Sequence, residues 1–149
     1  EEWGSGNFLP AQVSTHAFGE LGTTSYRLFF KHPSIGPISP WHDIPLFMGE
    51  SSSDTALMVT EVPRMSRERQ RMLVSEKMNP IASEFSGMGL LQYERPTLWN
   101  LGFLPQTWEG TSRTDTGIGM PGDNGPVGVI EMGSRVHRPG SVTRVRIIG

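Results

Sequence analysis

Apolar and polar positions alternate over short runs along this chain, and the runs are separated by glycine, proline and serine clusters. "YRLFFKH", from Tyr26 to His32, alternates well enough to predict a strand, and "PSIGPISPWHDIPLF" reads as a proline-punctuated loop entering a short extended segment. "GESSSDT", Gly49 to Thr55, is a polar turn before "ALMVTEV", a strand stopped by Pro63. "SRERQRMLVSEK" is open to two readings: Ser66 suits a helix N-cap, whereas the cluster Met72, Leu73 and Val74 favours a strand. "LLQYE" from Leu90 predicts a strand, "WNLGFLPQTWEG" an aromatic-rich irregular segment, and Thr111 to Pro126 a long glycine-rich loop. "VGVIEM" and "SVTRVRII" read as strands around a turn at Pro139 and Gly140. Five or six short strands with long loops and few helices predict a mainly β protein, a small barrel. Residues 1–24 lack periodicity and are expected to form an extended N-terminal arm, leaving 25–149 as the barrel domain. The sequence ends on a strand, so the barrel is expected to lack a closing element.

Composition fits one loop-rich domain: 149 residues, with Gly 18 and Pro 12. With Cys 0, a disulfide scaffold and a cysteine-based zinc site are excluded. No apolar run approaches the roughly 20 residues of a membrane-spanning helix, so none is expected. The net charge of -2 hides an asymmetry, because residues 133–149 carry four arginines and no acid. A second basic run, "RMSRERQR", spans Arg64 to Arg71. Such stripes contact phosphate or acidic partners, or simply line the wet face of a strand.

The candidate chemistry centres on "GDNGPVGVIEMG", residues 122–133, which has the shape of a metal loop but only one aspartate, Asp123. That residue is either a metal or phosphate contact or an Asx-turn aspartate holding the loop. His42 and Asp43 are adjacent on an extended segment and face opposite sides, which argues against a catalytic pair. Trp99, Phe103 and Trp108 suit core cover better than base stacking. "GIGMPGDNG" lacks the Lys-Ser/Thr of a phosphate loop.

The ordered succession "ISPWHDIPLF", "MVTEVPR", "MNPI", "LGFLPQTWE", "GDNGPVGVIEMG" and "VTRVRIIG" resembles the soluble inorganic pyrophosphatases, in particular the eukaryotic and mitochondrial branch. The resemblance runs from about Tyr26 to Gly149. It implies a five-stranded barrel of oligonucleotide-binding type and hydrolysis of diphosphate with several Mg²⁺ ions. Such chemistry needs hard oxygen ligands converging from several strands, with cationic side chains holding phosphate oxygens.

The same resemblance implies three metal-binding aspartates in the loop. Asp123 matches the first, while Gly125 and Gly128 stand at the other two. Glu61 matches a glutamate supporting the site, although an ion-paired structural role beside Arg64 also suits it. Arg95 matches a phosphate-binding arginine, and Arg69 stands in place of a phosphate-binding lysine. Arg71 replaces a metal-facing glutamate and Leu101 a tyrosine. Arg69, Arg71 and Arg95 either form an anion-binding patch or are ion-paired surface residues. An arginine about 5 Å from a divalent ion opposes binding by roughly 6 kcal/mol at an effective dielectric near 20.

The expectation is therefore an inactive relative of the pyrophosphatases, with no cofactor, serving as a structural or interaction subunit of a larger assembly of protein subunits. A mitochondrial setting is implied by the resemblance, with the cytoplasm as the alternative. An active Mg²⁺-dependent enzyme whose missing ligands come from another chain is the second expectation. A third is an RNA-contacting module using the arginine-bearing strands.

Overall fold

The computed structural model describes residues 8–49 and 54–149. A single 3-10 turn, Pro10–Gln12, precedes β1 (Ser14–Phe18), β2 (Arg27–His32), β3 (Gly36–Ile38) and β4 (Thr55–Val62). There follow β5 (Gln70–Met72), β6 (Ile81–Ser83), β7 (Phe85–Ser86), β8 (Gly89–Leu90), β9 (Asn100–Phe103), β10 (Gly128–Glu131) and β11 (Val142–Arg146). The fold is mainly β, as the alternating pattern predicts.

The strands sort into two open antiparallel sheets and a small hairpin. One sheet has the order β1-β2-β6-β5 with β3 also paired to β2; the other has the order β10-β9-β4-β11. β4 is central, and Ala56 to Thr60 are buried on both of its faces, which explains its unbroken apolar run. Phe30, Ile38 and Ile81 of the first sheet share one core with Leu57, Val59 and Phe103 of the second. Each such side chain, removed from water, contributes on the order of 2 kcal/mol.

Two glycines are dictated by this packing. A Cβ on Gly102 would lie 2.0 Å from the Val59 carbonyl oxygen, so β9 reaches β4 only because position 102 has no side chain. Gly140 turns the chain into β11 at φ +78, a left-handed conformation.

Some segments differ from expectation. The expected arm lies on the rest of the chain from Phe8 onward: Phe8 is in the core and β1 pairs with β2 from Ser14 to Phe18. Residues 1–7 of that arm, and 50–53 of the polar turn, are outside the described residues. The ambiguous basic segment resolves as β5. Ser66 caps a turn rather than a helix, its hydroxyl accepting the Glu68 amide at 3.1 Å. The strand expected from Leu90 shrinks to the β7-β8 hairpin plus one bridge between Gln92 and Glu68. Pro96, four residues after Gln92, has no N–H to give a ladder. Conversely, "NLGF" is the regular strand β9, pairing with both β4 and β10. Among the described residues no helix is long and apolar enough to cross a membrane.

Candidate functional site

A cleft of about 450 Å³ opens between the two sheets, where the start of β10 and the loop before it face β5. Its lining brings together Glu61, Arg71, Asp123, Glu109, Gly125 and Gly128.

Glu61 owes its position to a β-bulge. Val59 and Thr60 pair with Phe103 and Gly102, but the register slips before Val62 pairs with Leu101, leaving Glu61 as the extra residue. Its carboxylate accepts the Met72 amide of β5 at 2.7 Å, so it bridges the two sheets. The expected ion pair with Arg64 is not formed; that guanidinium donates to the Gly133 carbonyl at 2.9 Å. Burial pushes the Glu61 carboxyl up to about 7, the charge of Glu84 adding to the rise, while the Met72 amide and Arg71 pull it down.

Asp123 closes an Asx turn, its Oδ1 accepting the Gly125 amide at 2.9 Å. Its Oδ2 accepts from the Arg71 guanidinium at 3.3 Å. The loop is stitched to the segment before it: Asn124 N–H donates to Glu109 O at 2.9 Å and Glu109 N–H to Gly125 O at 2.8 Å. Trp108 adds a bond from Nε1 to Asn124 Oδ1 at 2.9 Å. The indole is therefore a loop fastener, 63% exposed, and not the core cover expected for it, whereas Phe103 is a core residue.

Neither Gly125 nor Gly128 has the left-handed φ that would demand glycine. A Cβ at Gly128 would meet nothing within 4 Å, and one at Gly125 only the Asp123 carboxylate, at 3.1 Å. The backbone would thus accept side chains at both positions, and those side chains would enter the cleft.

Of the three arginines, Arg69 and Arg71 share the Glu84 carboxylate but only Arg71 lines the cleft. Arg71 lies in the cleft between Asp123 and Glu84, 3.9 Å from the latter. Arg69 is turned away, paired to Glu84 at 2.9 Å with its guanidinium over the Tyr93 ring. Arg95 is exposed and does not line the cleft. Leu101 sits in β9, half-buried opposite Ile130, also outside the lining. His42 stacks on Trp41 while Asp43 accepts the Ser39 amide at 2.7 Å, so these neighbours serve separate turns.

Sequence reasoning missed two acids. Glu84 lies across from Arg69, its amide donating to the Arg69 carbonyl at 2.9 Å, which makes it the counter-charge for both Arg69 and Arg71. Glu109 reaches the cleft only through the stitching of its segment to the loop. No local spacing reveals either residue.

These donors do not fit a cluster of Mg²⁺ ions. Such a cluster needs several ionised carboxylates free to converge on hard cations. Glu61 is tied to an amide with its proton affinity raised, Asp123 is shared between an amide and a guanidinium, and Arg71 brings a positive charge into the same space. Among the described residues no three His, Asp or Glu side chains group closely enough to hold a metal ion.

Fold and cleft together define a mainly β domain of oligonucleotide-binding-like architecture. The family model for inorganic pyrophosphatase matches residues 58–149, and the chain belongs to that family. It is 37% identical over 137 residues to an inorganic pyrophosphatase of Drosophila melanogaster, covering 88% of this chain and 40% of that one. It is 34% identical over 155 residues to mitochondrial inorganic pyrophosphatase 2 of Mus musculus, covering 91% and 47%. The crystal structure of a type I inorganic pyrophosphatase from Toxoplasma gondii is similar with a TM-score of 0.83 at 32% identity, covering 92% of this chain and 61% of that one. The chain spans less than half the length of these two curated relatives.

Proposed function

We propose that this chain is a catalytically inactive pyrophosphatase-fold protein, kept as a structural or interaction subunit of a larger assembly. The observation that carries the reading is the Arg71 guanidinium, 3.3 Å from Asp123 inside the cleft. A tethered monocation there opposes divalent ions, and Gly125 and Gly128 supply no carboxylate to offset it. The scaffold around the cleft is intact: the bulge at Glu61, the Asx turn and the close approach at Gly102 are all formed. A fold maintained without a cation-binding donor set suits a role as a partner surface. A mitochondrial assembly is the preferred setting, in keeping with the mouse mitochondrial relative, and the cytoplasm is the alternative.

The test is release of phosphate from diphosphate with millimolar Mg²⁺. The expected result is no turnover above a blank. Turnover comparable with an active family member, abolished by Asp123→Ala, would falsify the proposal.

One observation favours a second reading. Glu61, Glu109 and Asp123 line the same cleft, and the Glu109 carboxylate is exposed. With acids donated by another chain, these three would form part of a Mg²⁺-dependent diphosphate site; Arg69 and Arg95, which the resemblance makes phosphate contacts, do not line the cleft. Turnover that depends on an added partner would establish it.

A further inference from the structure

Asn124 is the one asparagine of this chain that precedes a glycine; Asn7, Asn79 and Asn100 precede Phe8, Pro80 and Leu101. The difference is chemical. An asparagine loses its side-chain amide when the next residue's backbone nitrogen attacks its carbonyl carbon, and glycine, with no Cβ, crowds that attack least. Pro80 has no N–H to yield a nucleophile, and Asn100 is buried with both ends of its side chain hydrogen-bonded.

Neighbouring groups hold each reacting atom of the Asn124–Gly125 pair. Gly125 N–H donates to Asp123 Oδ1 at 2.9 Å, so a carboxylate base stands on the attacking nitrogen. Arg71 donates to the other oxygen, Oδ2, at 3.3 Å and orients that carboxylate. Asn124 Oδ1 accepts from Trp108 Nε1 at 2.9 Å, which aims an N–H at the oxygen where negative charge develops during the attack. The Glu109 backbone grips the same pair, accepting from Asn124 N–H at 2.9 Å and donating to Gly125 O at 2.8 Å. The reacting atoms, the base and the N–H donor all lie between residues 108 and 125, and water is the single outside reactant. The chemistry is therefore local to this loop and independent of what lies against other faces of the domain.

We propose that Asn124 is a self-modifying site, converted by its own loop to aspartate and isoaspartate, and that the product loosens the loop from Trp108 and Glu109. A bond forms between Gly125 N and Asn124 Cγ while the Gly125 amide proton passes to the Asp123 carboxylate and on to the departing nitrogen. The bond from Cγ to Nδ2 breaks, ammonia leaves, and a cyclic imide remains. Water then opens the ring. Addition at Cγ gives aspartate, whereas addition at the main-chain carbonyl carbon gives isoaspartate, whose backbone runs through the former side chain. Either product adds a negative charge beside Asp123, and isoaspartate also shifts the backbone groups that Glu109 holds. This inference goes beyond the inactive-subunit reading and does not rest on it.

The experiment incubates the 149-residue chain at neutral pH in water enriched in heavy oxygen and follows each asparagine by peptide mapping and mass spectrometry. Asn124 alone should convert, taking up heavy oxygen and giving isoaspartate that electron-transfer fragmentation identifies. Conversion should be at least about fivefold slower in Trp108→Phe and in Asp123→Asn. Trp108 is 63% exposed and the Asp123 side chain 54%, so both variants keep the fold, which far-ultraviolet circular dichroism verifies. Asparagine at position 123 still offers Gly125 N–H an oxygen acceptor, so the turn survives while the base is lost. Hydrogen exchange at the Glu109 amide should quicken as isoaspartate accumulates. An unchanged Asn124 overturns the proposal, as does aspartate formed without isoaspartate, which is direct hydrolysis. Conversion as fast or faster in either variant overturns it too, leaving the Asn-Gly pair alone responsible. Glu109 exchange that ignores the conversion overturns the loosening of the loop. Turnover in the diphosphate assay would remove the inactive-subunit reading and leave every one of these outcomes as it stands.

Discussion

The Glu61 carboxylate accepts the Met72 amide at 2.7 Å and so ties β4 to β5 across the floor of the cleft. The same burial that makes this bond possible pushes its pKa from 4.5 up to about 7. A raised carboxylate favours the folded state fully below its unfolded pKa, and that contribution is lost as pH rises through the folded pKa. The window is therefore about pH 4.5 to 7, and the loss is at most about 3 kcal/mol, reduced by water reaching the cleft. Glu61→Gln keeps an acceptor for Met72 and removes the titration. Urea unfolding should show the two proteins alike near pH 4.5 and the variant more stable above pH 7. Parallel stability profiles across that range would rule the assignment out.

Arg71 and Asp123 are both largely exposed, with side chains 60% and 54% accessible, so their ion pair adds little stability. Arg71→Ala should change unfolding free energy by less than about 0.5 kcal/mol. A loss above about 2 kcal/mol would mean that the guanidinium holds the cleft together, a role its accessibility does not suggest.

Position 128 has room for a side chain and position 125 nearly so, which makes the cleft open to reconstruction. Gly125→Asp and Gly128→Asp combined with Arg71→Glu would place three more carboxylates around Asp123 and remove the opposing cation. The wild-type chain should show no Mg²⁺-dependent change in Tm. The triple variant should melt lower without metal and gain at least about 5 °C at Mg²⁺ near a hundred times its Kd, where binding contributes about 2.7 kcal/mol. No metal response in the triple variant would show that the missing donors are not the main obstacle.

The parts of this picture legible in the sequence are those that local chemistry decides. The run from Ala56 to Val62 predicts β4 because its apolar positions are consecutive, and the turn at Asp123 to Gly125 follows from Asx chemistry within three residues. β9 was hidden because its regularity depends on Gly102 meeting Val59, a contact between segments far apart in the chain. Glu84 and Glu109 were hidden for the same reason, since each acquires its place from a strand or loop that no window includes. The resemblance groups Arg95 with Arg69 and Arg71, yet it is exposed and does not line the cleft. Arg69 and Arg71 remain together through their shared partner Glu84.

Among the described residues, Gly102 should be the least tolerant glycine. Gly102→Ala forces its Cβ against the Val59 carbonyl, pushing β9 from β4, and should cost about 3 kcal/mol or more. Gly128→Ala, with nothing within 4 Å of its Cβ, is the control and should stay within about 0.5 kcal/mol of wild type. Comparable losses at both positions would mean that the approach of the two strands is not what selects glycine.

Asn100 supports the segment leading to β11 through a saturated set of bonds. Its Oδ1 accepts the Arg64 amide at 2.8 Å and the His137 amide at 3.0 Å. Its Nδ2 donates to Glu131 Oε2 and to the Arg135 carbonyl, each at 2.8 Å. The side chain is fully buried, so water cannot replace these partners. Asn100→Ala would strand two amides, a carbonyl and a carboxylate, and should cost about 3 kcal/mol or more. Asn100→Asp is the sharper variant: the acceptor half survives, but the donor half becomes an anion facing Glu131. If the acceptor bonds dominate, Asp should be tolerated better than Ala; if the donors matter equally, Asp should be worse. The second ordering is expected, because a buried carboxylate beside another is charged against charge, and it should ease at low pH as one of the two takes a proton. Equilibrium unfolding of both variants at pH 5 and pH 8 decides between them, and an Asp variant indifferent to pH would show that residue 100 does not face Glu131 as described.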